Sequence, residues 1–178
     1  MIIRQATIEE MLALWFKFYT TEYFSDQIQK GNAEFWAIEH HARLIGELYL
    51  FKCLDDHDFA DGKTTAYLYG FQIEEIMRGK GLGTMLMNRA FERLRELNFE
   101  YVTIGVDPDH AANARLYRRM GFTEEIKMVR ENPCDVDENF QPTVGTEYLL
   151  LRKTLKRCGG DSKEPRYPSL WLIKSIIF

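Results

Sequence analysis

The chain has 178 residues, of which 46% are apolar and 28% charged, and this is the size and composition of one globular domain. Its formal net charge of −4 argues against a nucleic-acid partner, because proteins that bind DNA or RNA usually present a basic face. The three cysteines are widely spaced and form no Cys-x-x-Cys pair, so the sequence predicts reduced thiols, no disulfide framework, no metal site and a cytoplasmic location.

The N-terminal third predicts a strand, a helical region and a hairpin, with nothing that resembles a signal peptide. Ile2–Arg4 is a short strand candidate, and the capping-box pattern Thr-x-x-Glu that begins at Thr7 starts a helix. Helical apolar spacing continues to Gly31–Asn32, so we expect two helices or one bent helix. Two apolar runs on either side of the polar turn His40–Ala42 then predict a β-hairpin. The acidic stretch Asp55–Asp61 is interpreted as a solvated loop, with a role in holding a cationic substrate as the alternative.

The stretch from Tyr67 to Gly83, YLYGFQIEEIMRGKGLG, joins a predicted strand to a predicted helix through a glycine-rich turn. Glycine allows φ > 0 and a close approach of the backbone to a ligand, and the unpaired N–H groups that start the helix point into the same turn. Because Arg78 and Lys80 add positive charge, the turn is predicted to hold a pyrophosphate. A purely structural turn is the alternative. Neither the Walker pattern nor the dinucleotide fingerprint Gly-x-Gly-x-x-Gly fits the spacing.

A strand, this turn, a helix and a second strand form a βαβ unit. The helix is predicted over Leu82–Leu97, with Met85 among the residues of its apolar face and Asn98 as its stop. The second strand is predicted over Tyr101–Val106. The two strands should therefore be parallel neighbours joined by a right-handed crossover. Asp107–Asp109 is then predicted to turn the chain and cap a short helix over Ala111–Met120, which is ended by Gly121.

The C-terminal part predicts two more strands, a polar loop and an apolar tail. The strands are Phe122–Arg130 and Thr146–Lys153, and residues 131–144 form a long loop or hairpin tip that we expect to lie over a binding site. Residues 1–156 are predicted to form the domain, and residues 157–178 a linker and an apolar tail that ends in PSLWLIKSIIF. The tail is too short to span a membrane, and we expect it to dock on the domain or to join two subunits in a homodimer, with docking on a membrane surface as the alternative.

Two motifs stand in a fixed order on these elements. Arg-x-x-Gly-x-Gly opens a helix at Arg78–Gly83, and after the next strand a short helix ends in Leu-Tyr-x-x-x-Gly-Phe at Leu116–Phe122. Together they resemble the GNAT superfamily of acyl-CoA-dependent N-acetyltransferases, and the resemblance extends from Ile2 to about Leu155. It implies a single-domain α/β structure, the acyl-CoA N-acyltransferase fold, with a mixed six- to seven-stranded sheet and helices on both faces.

The resemblance implies an enzyme that transfers an acetyl group from acetyl-CoA to a primary amine of a small molecule or a protein. The amine would attack directly while both substrates are bound, and no metal is implied. The acids at 55–61 and 135–138 favour a cationic small molecule as the acceptor. The alternative is a non-catalytic acyl-CoA-binding regulatory module, and acylation of a protein N-terminus is a third hypothesis.

The resemblance also implies which residues hold the cofactor. In this family the backbone of the strand before the turn binds the pantetheine arm, and amides of the turn bind the pyrophosphate. The residues at these positions are Phe71, Gln72, Ile73, Arg78, Gly79, Lys80, Gly81, Leu82, Gly83 and Thr84. The family sheet opens between this strand and the strand Tyr101–Val106, and the thioester lies in the gap.

Tyr117 occupies the position of the family's general acid, which protonates the departing thiolate. A phenol suits this role, because its reference pKa of about 10 keeps it protonated at neutral pH. Where the family often has an Asn that contacts the cofactor, this sequence has His110, and Asn113 is a second candidate for that contact. The alternatives are a packing role for Tyr117 and a solvated surface position for His110.

No general base is assigned. Glu74 and Glu75 lie near the glycine-rich turn, and Glu47 is a candidate on the predicted hairpin. Earlier in the strand, where some members of the family carry a catalytic Glu, this sequence has Thr65 and Tyr69.

Overall fold

Seven strands form one sheet in the computed structural model, which describes residues 1–14 and 18–155. The strands are β1 (Ile2–Gln5), β2 (Ala33–His40), β3 (Arg43–Phe51), β4 (Thr65–Ile73), β5 (Tyr101–Val106), β6 (Glu124–Val136) and β7 (Pro142–Thr154). The α-helices of this part of the chain are α1 (Ile8–Leu14), α2 (Phe18–Gln29), α3 (Leu82–Glu96) and α4 (Ala111–Arg119). The strand order is β1-β2-β3-β4-β5-β7-β6, and β4 and β5 are parallel in an otherwise antiparallel sheet. The predicted α/β fold with a mixed sheet is confirmed.

The helical region near the N-terminus is α1 followed by α2, and α1 starts at the predicted capping box. Glu10 N donates to Thr7 Oγ1 at 3.2 Å, and Thr7 N donates to Glu10 Oε2 at 2.8 Å. Arg4 of β1 pairs with Glu10 at 2.6 Å and with Glu39 of β2 at 2.7 Å. The edge of the sheet therefore fixes the start of α1.

The sheet opens between β4 and β5. Their parallel ladder has four residue pairs and ends at Leu68 and Ile104. Beyond Leu68, β4 continues to Ile73 and pairs there with β3, while β5 continues to Val106 beside β7. The gap implied by the family resemblance is therefore present, with β4 and β5 as its walls.

A β-bulge lies in β4 where the gap begins. Tyr69 and Gln72 each have a partner in β3, but two residues of β4, Gly70 and Phe71, face Leu48 alone. Gly70 has a left-handed backbone with φ of 64°, which is typical of the glycine in such a bulge. Because a bulge bends the strand that contains it, this one separates the end of β4 from β5.

Helices cover both faces of the sheet, as the resemblance implies. The α3 face carries α3 and α4 over a buried cluster that includes Leu86 and Ile104. The α2 face carries α1 and α2, and the ring of Phe24 packs there against Tyr49 and Tyr69, with centroids 4.8 and 5.5 Å apart. Two independent apolar clusters therefore hold β3 and β4 from opposite sides.

The stretch predicted as a long loop or hairpin tip is a hairpin tip, and most of its residues are in strands. β6 extends to Val136 and β7 begins at Pro142, so residues 131–144 form the distal part of a hairpin. The Asp137 carboxylate accepts N–H groups of Asn139 and Gln141 at 2.8 and 3.0 Å, which fixes a short turn at the tip. Residues 131–144 are polar because this part of the hairpin is exposed to solvent, although its two strands are still paired by backbone hydrogen bonds.

One position in the predicted apolar stripe of α3 is wrong. Met85 is 51% exposed, whereas Met87 and Phe91 are buried. The buried stripe is formed by Leu82, Leu86, Met87, Ala90, Phe91 and Leu94. Met85 and Met87 both lie at helical spacing from other apolar residues of α3, so the spacing alone does not show which of the two faces the core.

Within the described ranges, no helix has the length and apolarity that crossing a membrane requires. The domain boundary after residue 156 and the apolar tail lie outside those ranges, so tail docking and a homodimer stay predictions.

Candidate active site

The glycine-rich turn connects β4 to the start of α3. Gly79 and Gly81 both have left-handed backbones, with φ of 76° and 78°, and Gly81 is the residue that precedes the first turn of α3. A Cβ added at either position would meet no atom within 4 Å. These glycines are therefore required by the path of the backbone, and space remains beside them.

The start of α3 presents amide groups to this turn. The first helical hydrogen bond runs from Met85 N to Gly81 O at 3.1 Å, so the N–H groups of Leu82, Gly83 and Thr84 have no acceptor within the helix. Lys80 is exposed beside them. Helix dipole, amides and ammonium together favour a polyanion at this point.

Arg78 has a second role. Its Nε donates to the backbone oxygen of Ile73 at 2.9 Å, which ties the turn to the end of β4. The structure thus gathers the predicted stretch from Arg78 to Thr84 at one end of α3, with Arg78 as a brace. We call residues 78–84 the cradle.

Phe71 links the cradle to Tyr117. A Cβ added at Gly83 would lie 2.9 Å from Phe71 Cζ, so the absence of a side chain at Gly83 makes room for this ring. The Phe71 ring lies 6.4 Å from that of Tyr117, between centroids, and the Tyr117 ring lies 6.1 Å from that of Phe122. Tyr117 is therefore held at the end of β4 that faces the gap.

The environment of Tyr117 keeps it protonated. Its side chain is 7% exposed, and burial raises the pKa of Tyr117 to about 12. The phenol therefore carries its proton throughout the neutral range, as a proton donor must.

The strand residues predicted to hold the pantetheine arm divide into two sets. Glu74 N donates to Ile45 O of β3, so the backbone groups of Glu74 point towards β3. Because successive residues of a strand point their backbone groups to opposite sides, every second residue before Glu74 also points towards β3. The backbone of Gln72 therefore points towards β3, and the backbones of Phe71 and Ile73 point towards the gap. The Gln72 side chain lies on the α2 face, where its amide donates to Glu47.

His110 and Asn113 are exposed at the start of α4. His110 Nδ1 lies 2.9 Å from Asp107 Oδ2, and Asp107 Oδ1 accepts the N–H of Asp109 at 2.9 Å. Asp107 thus holds the loop before the helix, and the residue at the helix cap is His110, which makes no side-chain capping bond. The expectation that Asp107–Asp109 caps this helix is wrong, because these acids bind the loop itself.

A cavity of about 580 Å³ lies on the α2 face between α2 and the β6–β7 hairpin. Tyr19 and Thr20 of α2 form one wall, and Asn132 and Asp135 of β6 form another. Tyr148 of β7 completes the lining beside the opened sheet. The cavity and the cradle therefore lie on opposite sides of the gap.

A glycine inside β5 shapes the floor of this cavity. A Cβ at Gly105 would lie 2.8 Å from the Tyr148 ring and 3.3 Å from the Tyr67 hydroxyl. Asn132 Nδ2 donates to that hydroxyl at 3.1 Å. Glycine within a strand signals such a close approach, so Gly105 is the residue whose sequence context could have pointed to this cavity.

The sequence profile described as the acetyltransferase (GNAT) family matches residues 4–122. The chain belongs to the acetyltransferase (GNAT) family. It is 29% identical over 105 residues to the uncharacterized N-acetyltransferase YdgE of Bacillus subtilis, an alignment that covers 58% of this chain and 64% of that protein. The chain thus matches less than two thirds of the length of this curated relative.

Solved structures of GNAT proteins share the fold. A ribosomal-protein-alanine N-acetyltransferase from Brucella melitensis superposes with a TM-score of 0.64 at 18% identity, covering 87% of this chain and 100% of the other. A GNAT family acetyltransferase from Elizabethkingia anophelis, solved with acetyl-CoA bound, gives a TM-score of 0.59 at 16% identity, covering 86% and 97%. At these identities the likeness shows the fold, and the predicted family and its fold are confirmed.

The three candidates for the general base of this GNAT protein differ in their contacts and in their exposure to solvent. Glu74 pairs with Arg43 at 2.5 Å, and Glu75 is exposed in a 3-10 helix. Glu47 is buried on the α2 face, where it accepts hydrogen bonds from the Gln72 amide and, at 3.4 Å, from the hydroxyl of Tyr49. The general base stays unassigned.

The acidic stretch 55–61 holds the protein's own structure. Asp56 and Asp58 pair with Lys127 at 2.7 and 2.9 Å. Asp61 accepts the backbone N–H groups of Thr64 and Thr65, each at 2.8 Å. These contacts favour the structural interpretation of the stretch over a role in holding substrate. Among the described residues, no group of three or more His, Cys, Asp or Glu is placed to hold a metal ion.

Proposed function

We propose that this protein transfers the acetyl group of acetyl-CoA to a primary amine of a small molecule or protein, by direct attack within a ternary complex. One observation carries the proposal: the β4–β5 ladder ends at Leu68 and Ile104, and Phe71, on the part of β4 beyond that end, lies against both Gly83 of the cradle and the Tyr117 ring. Family membership and the acetyl-CoA in the Elizabethkingia anophelis structure support it.

The cradle fits the donor. Three helix-start amides, from Leu82 to Thr84, and the ammonium of Lys80 suit the two negative charges of a pyrophosphate. The backbone of Phe71 and the N–H of Ile73 offer hydrogen bonds along the gap, where an extended arm would take the place of the missing strand partner, while the Ile73 oxygen accepts from Arg78. His110 and Asn113 lie at the start of α4 as further candidates for contact with the donor.

Tyr117 supplies the proton that the leaving group needs. As the nitrogen of the neutral amine bonds to the acyl carbon and the carbon–sulfur bond breaks, the phenol gives its proton to the sulfur. The nitrogen loses its surplus proton to solvent, and the phenol regains a proton from solvent. The burial that raises the pKa of Tyr117 to about 12 makes it a weak acid. The same dry surroundings raise the pKa of the departing thiol, so we expect the proton to move together with carbon–sulfur cleavage.

A Tyr117→Phe variant tests this assignment. Because the ring and its packing against Phe71 are kept, we expect kcat to fall about 100-fold while the Kd of CoA is unchanged. The assay is amine-dependent CoA release, corrected for hydrolysis, with calorimetry for CoA. Tyr101→Phe is the matched control, since Tyr101 lies on β5 at the closed end of the ladder, opposite Thr65. Equal kcat values for wild type and Tyr117→Phe would remove Tyr117 from the mechanism.

A further inference from the structure

The cavity on the α2 face has the size of a small-molecule site. Its volume of about 580 Å³ falls within the range of about 300–1,000 Å³ that is usual for such sites. The side chains around it combine aromatic surface with a few polar groups, among them Tyr19, Tyr148, Thr143 and Asp135. This volume and this lining fit a small acceptor.

Asp135 is tied to the point where the sheet opens. Tyr69 is the first residue of β4 after the last β4–β5 pair, at Leu68 and Ile104. Its hydroxyl donates to Asp135 Oδ1 at 2.6 Å. The carboxylate of Asp135 therefore lies one tyrosine side chain away from the gap in which the acyl group is expected.

The negative charge of Asp135 is not neutralised by the part of the chain that the structure describes. None of the ion pairs among the described residues includes Asp135. Arg130 also lines the cavity, but its Nε pairs with Glu147 at 3.3 Å. The side chain that donates a hydrogen bond to the Asp135 carboxylate, the Tyr69 hydroxyl, is uncharged. The carboxylate therefore keeps its capacity to bind a cation.

The neighbouring acids of the hairpin, Asp137 and Glu138, accept other hydrogen bonds and do not line the cavity. Asp137 accepts the turn amides of Asn139 and Gln141, and Glu138 accepts the Tyr19 hydroxyl at 3.4 Å. Asp135 is therefore the carboxylate of this hairpin that faces the cavity.

We propose that Asp135 sets the acceptor specificity of this protein by binding the ammonium group of a small cationic amine in the α2-face cavity. This group loses a proton to solvent before its nitrogen attacks the acetyl carbon. The proposal rests on the acetyltransferase function proposed above. Tyr69 is a positioning residue that holds the carboxylate, and the Tyr19 and Tyr148 rings provide faces that attract a cation. An acceptor with a carboxylate beside its amine is disfavoured, because that group would meet Asp135.

The test uses Asp135→Asn, which keeps the shape and the acceptor for Tyr69 but removes the charge. Tyramine and leucinamide are compared with tyrosine and leucine, their carboxylate-bearing counterparts. In the variant we expect kcat/KM for tyramine and leucinamide to fall about 10- to 100-fold, mainly through KM, as for loss of a charged hydrogen bond. The preference over tyrosine and leucine should shrink, and the KM of acetyl-CoA should be unchanged.

Two further variants make the result specific. Glu22→Gln removes one charge from an exposed site on α2 and should leave all four acceptors unaffected. Tyr69→Phe keeps the carboxylate but removes the hydroxyl that holds it, so a smaller rise in the KM of tyramine is expected. Because Tyr69→Phe leaves the charge in place, it gives an answer even if Asp135→Asn is poorly folded.

A measurement of amine binding distinguishes the proposed role of Asp135 from the proposed acetyltransferase function. Calorimetric titration of tyramine into the CoA-bound wild type and the Asp135→Asn variant needs no turnover. Weaker binding by the variant supports the role of Asp135, and equal binding by both proteins overturns it. If tyramine binds through Asp135 but no amine releases CoA, the acetyltransferase proposal fails while the cation site stands. Acetylation confined to peptides would overturn the assignment of a small acceptor.

Discussion

Gly81 and Gly31 have nearly the same left-handed backbone, with φ of 78° and 75°, and at neither would a Cβ meet an atom within 4 Å. Gly81 belongs to the cradle, whereas Gly31 ends the turn between α2 and β2. The two residues thus share a conformation and differ in location, which allows the strain of a side chain to be separated from its effect on ligand binding.

We predict that Gly81→Ala weakens CoA binding about fivefold to tenfold, because an alanine with φ > 0 costs about 1 kcal/mol and shifts the amides of the cradle. Gly31→Ala should lower the free energy of unfolding by a similar amount and leave CoA affinity unchanged. Calorimetry with CoA and urea unfolding measure the two effects. If both variants bound CoA like the wild type, the cradle would not be the pyrophosphate site.

Among individual residues, sequence patterns predicted those that lie in short motifs on elements adjacent in the chain. The glycines of the cradle and Tyr117 follow from short motifs on adjacent elements. The contact between Tyr69 and Asp135 joins residues separated by 66 positions, and no periodicity or spacing signals it. It depends on the placement of the β6–β7 hairpin over β4, which is a tertiary property.

Among the elements, β2 and α3 are joined through the buried Glu34. Its carboxylate accepts hydrogen bonds from Arg93 Nη2 at 3.0 Å and Trp36 Nε1 at 3.0 Å, and the ammonium of Lys52, the residue after β3, lies 3.3 Å away. Burial raises the pKa of Glu34, but the hydrogen bonds from Arg93, Trp36 and Gln5 and the charge of Lys52 outweigh burial and lower it to about 2. The ionised form is therefore the one that the fold favours.

We predict that Glu34→Gln lowers the free energy of unfolding by about 2 kcal/mol at pH 7, the usual cost of losing charged hydrogen bonds. Since the folded pKa lies below the ordinary value of 4.5, the stabilisation is complete above pH 4.5 and is lost as pH falls towards 2. Urea unfolding at pH 7 and pH 3 should show a smaller difference from wild type at pH 3. Glu22→Gln is the exposed control, and an equal loss at both pH values would contradict the role of the charge.

Element order could be predicted from the sequence, but the extent of pairing could not. The βαβ unit, the N-terminal capping box and the parallel β4–β5 pair all follow from periodicity and helix-start signals. Gly70 lies inside a strand pattern, but only the register with β3 shows that it forms a bulge. The hairpin stretch 131–144 was assigned as a loop or hairpin tip because its residues are polar, although exposed strands at the edge of a sheet are polar too.

Across the whole molecule, the order β4-β5-β7-β6 places the cradle and the α2-face cavity on opposite sides of one gap. A donor bound along the cradle side and an amine in the cavity would therefore meet at the point where β4 and β5 separate. The family match covers the cradle and Tyr117, whereas the cavity residues of β6 and β7 lie beyond residue 122. We therefore expect the acetyl-CoA site to resemble that of other family members and the amine site to be particular to this chain.

The most direct test of this account is CoA release from acetyl-CoA, corrected for hydrolysis, across a panel of small primary amines and peptides with free N-termini. The account predicts amine-dependent release by the wild type, with one acetylated amine formed for each CoA. It would be contradicted by a protein that binds CoA in calorimetry while no amine in the panel raises release above hydrolysis, which is the behaviour of a non-catalytic acyl-CoA-binding module.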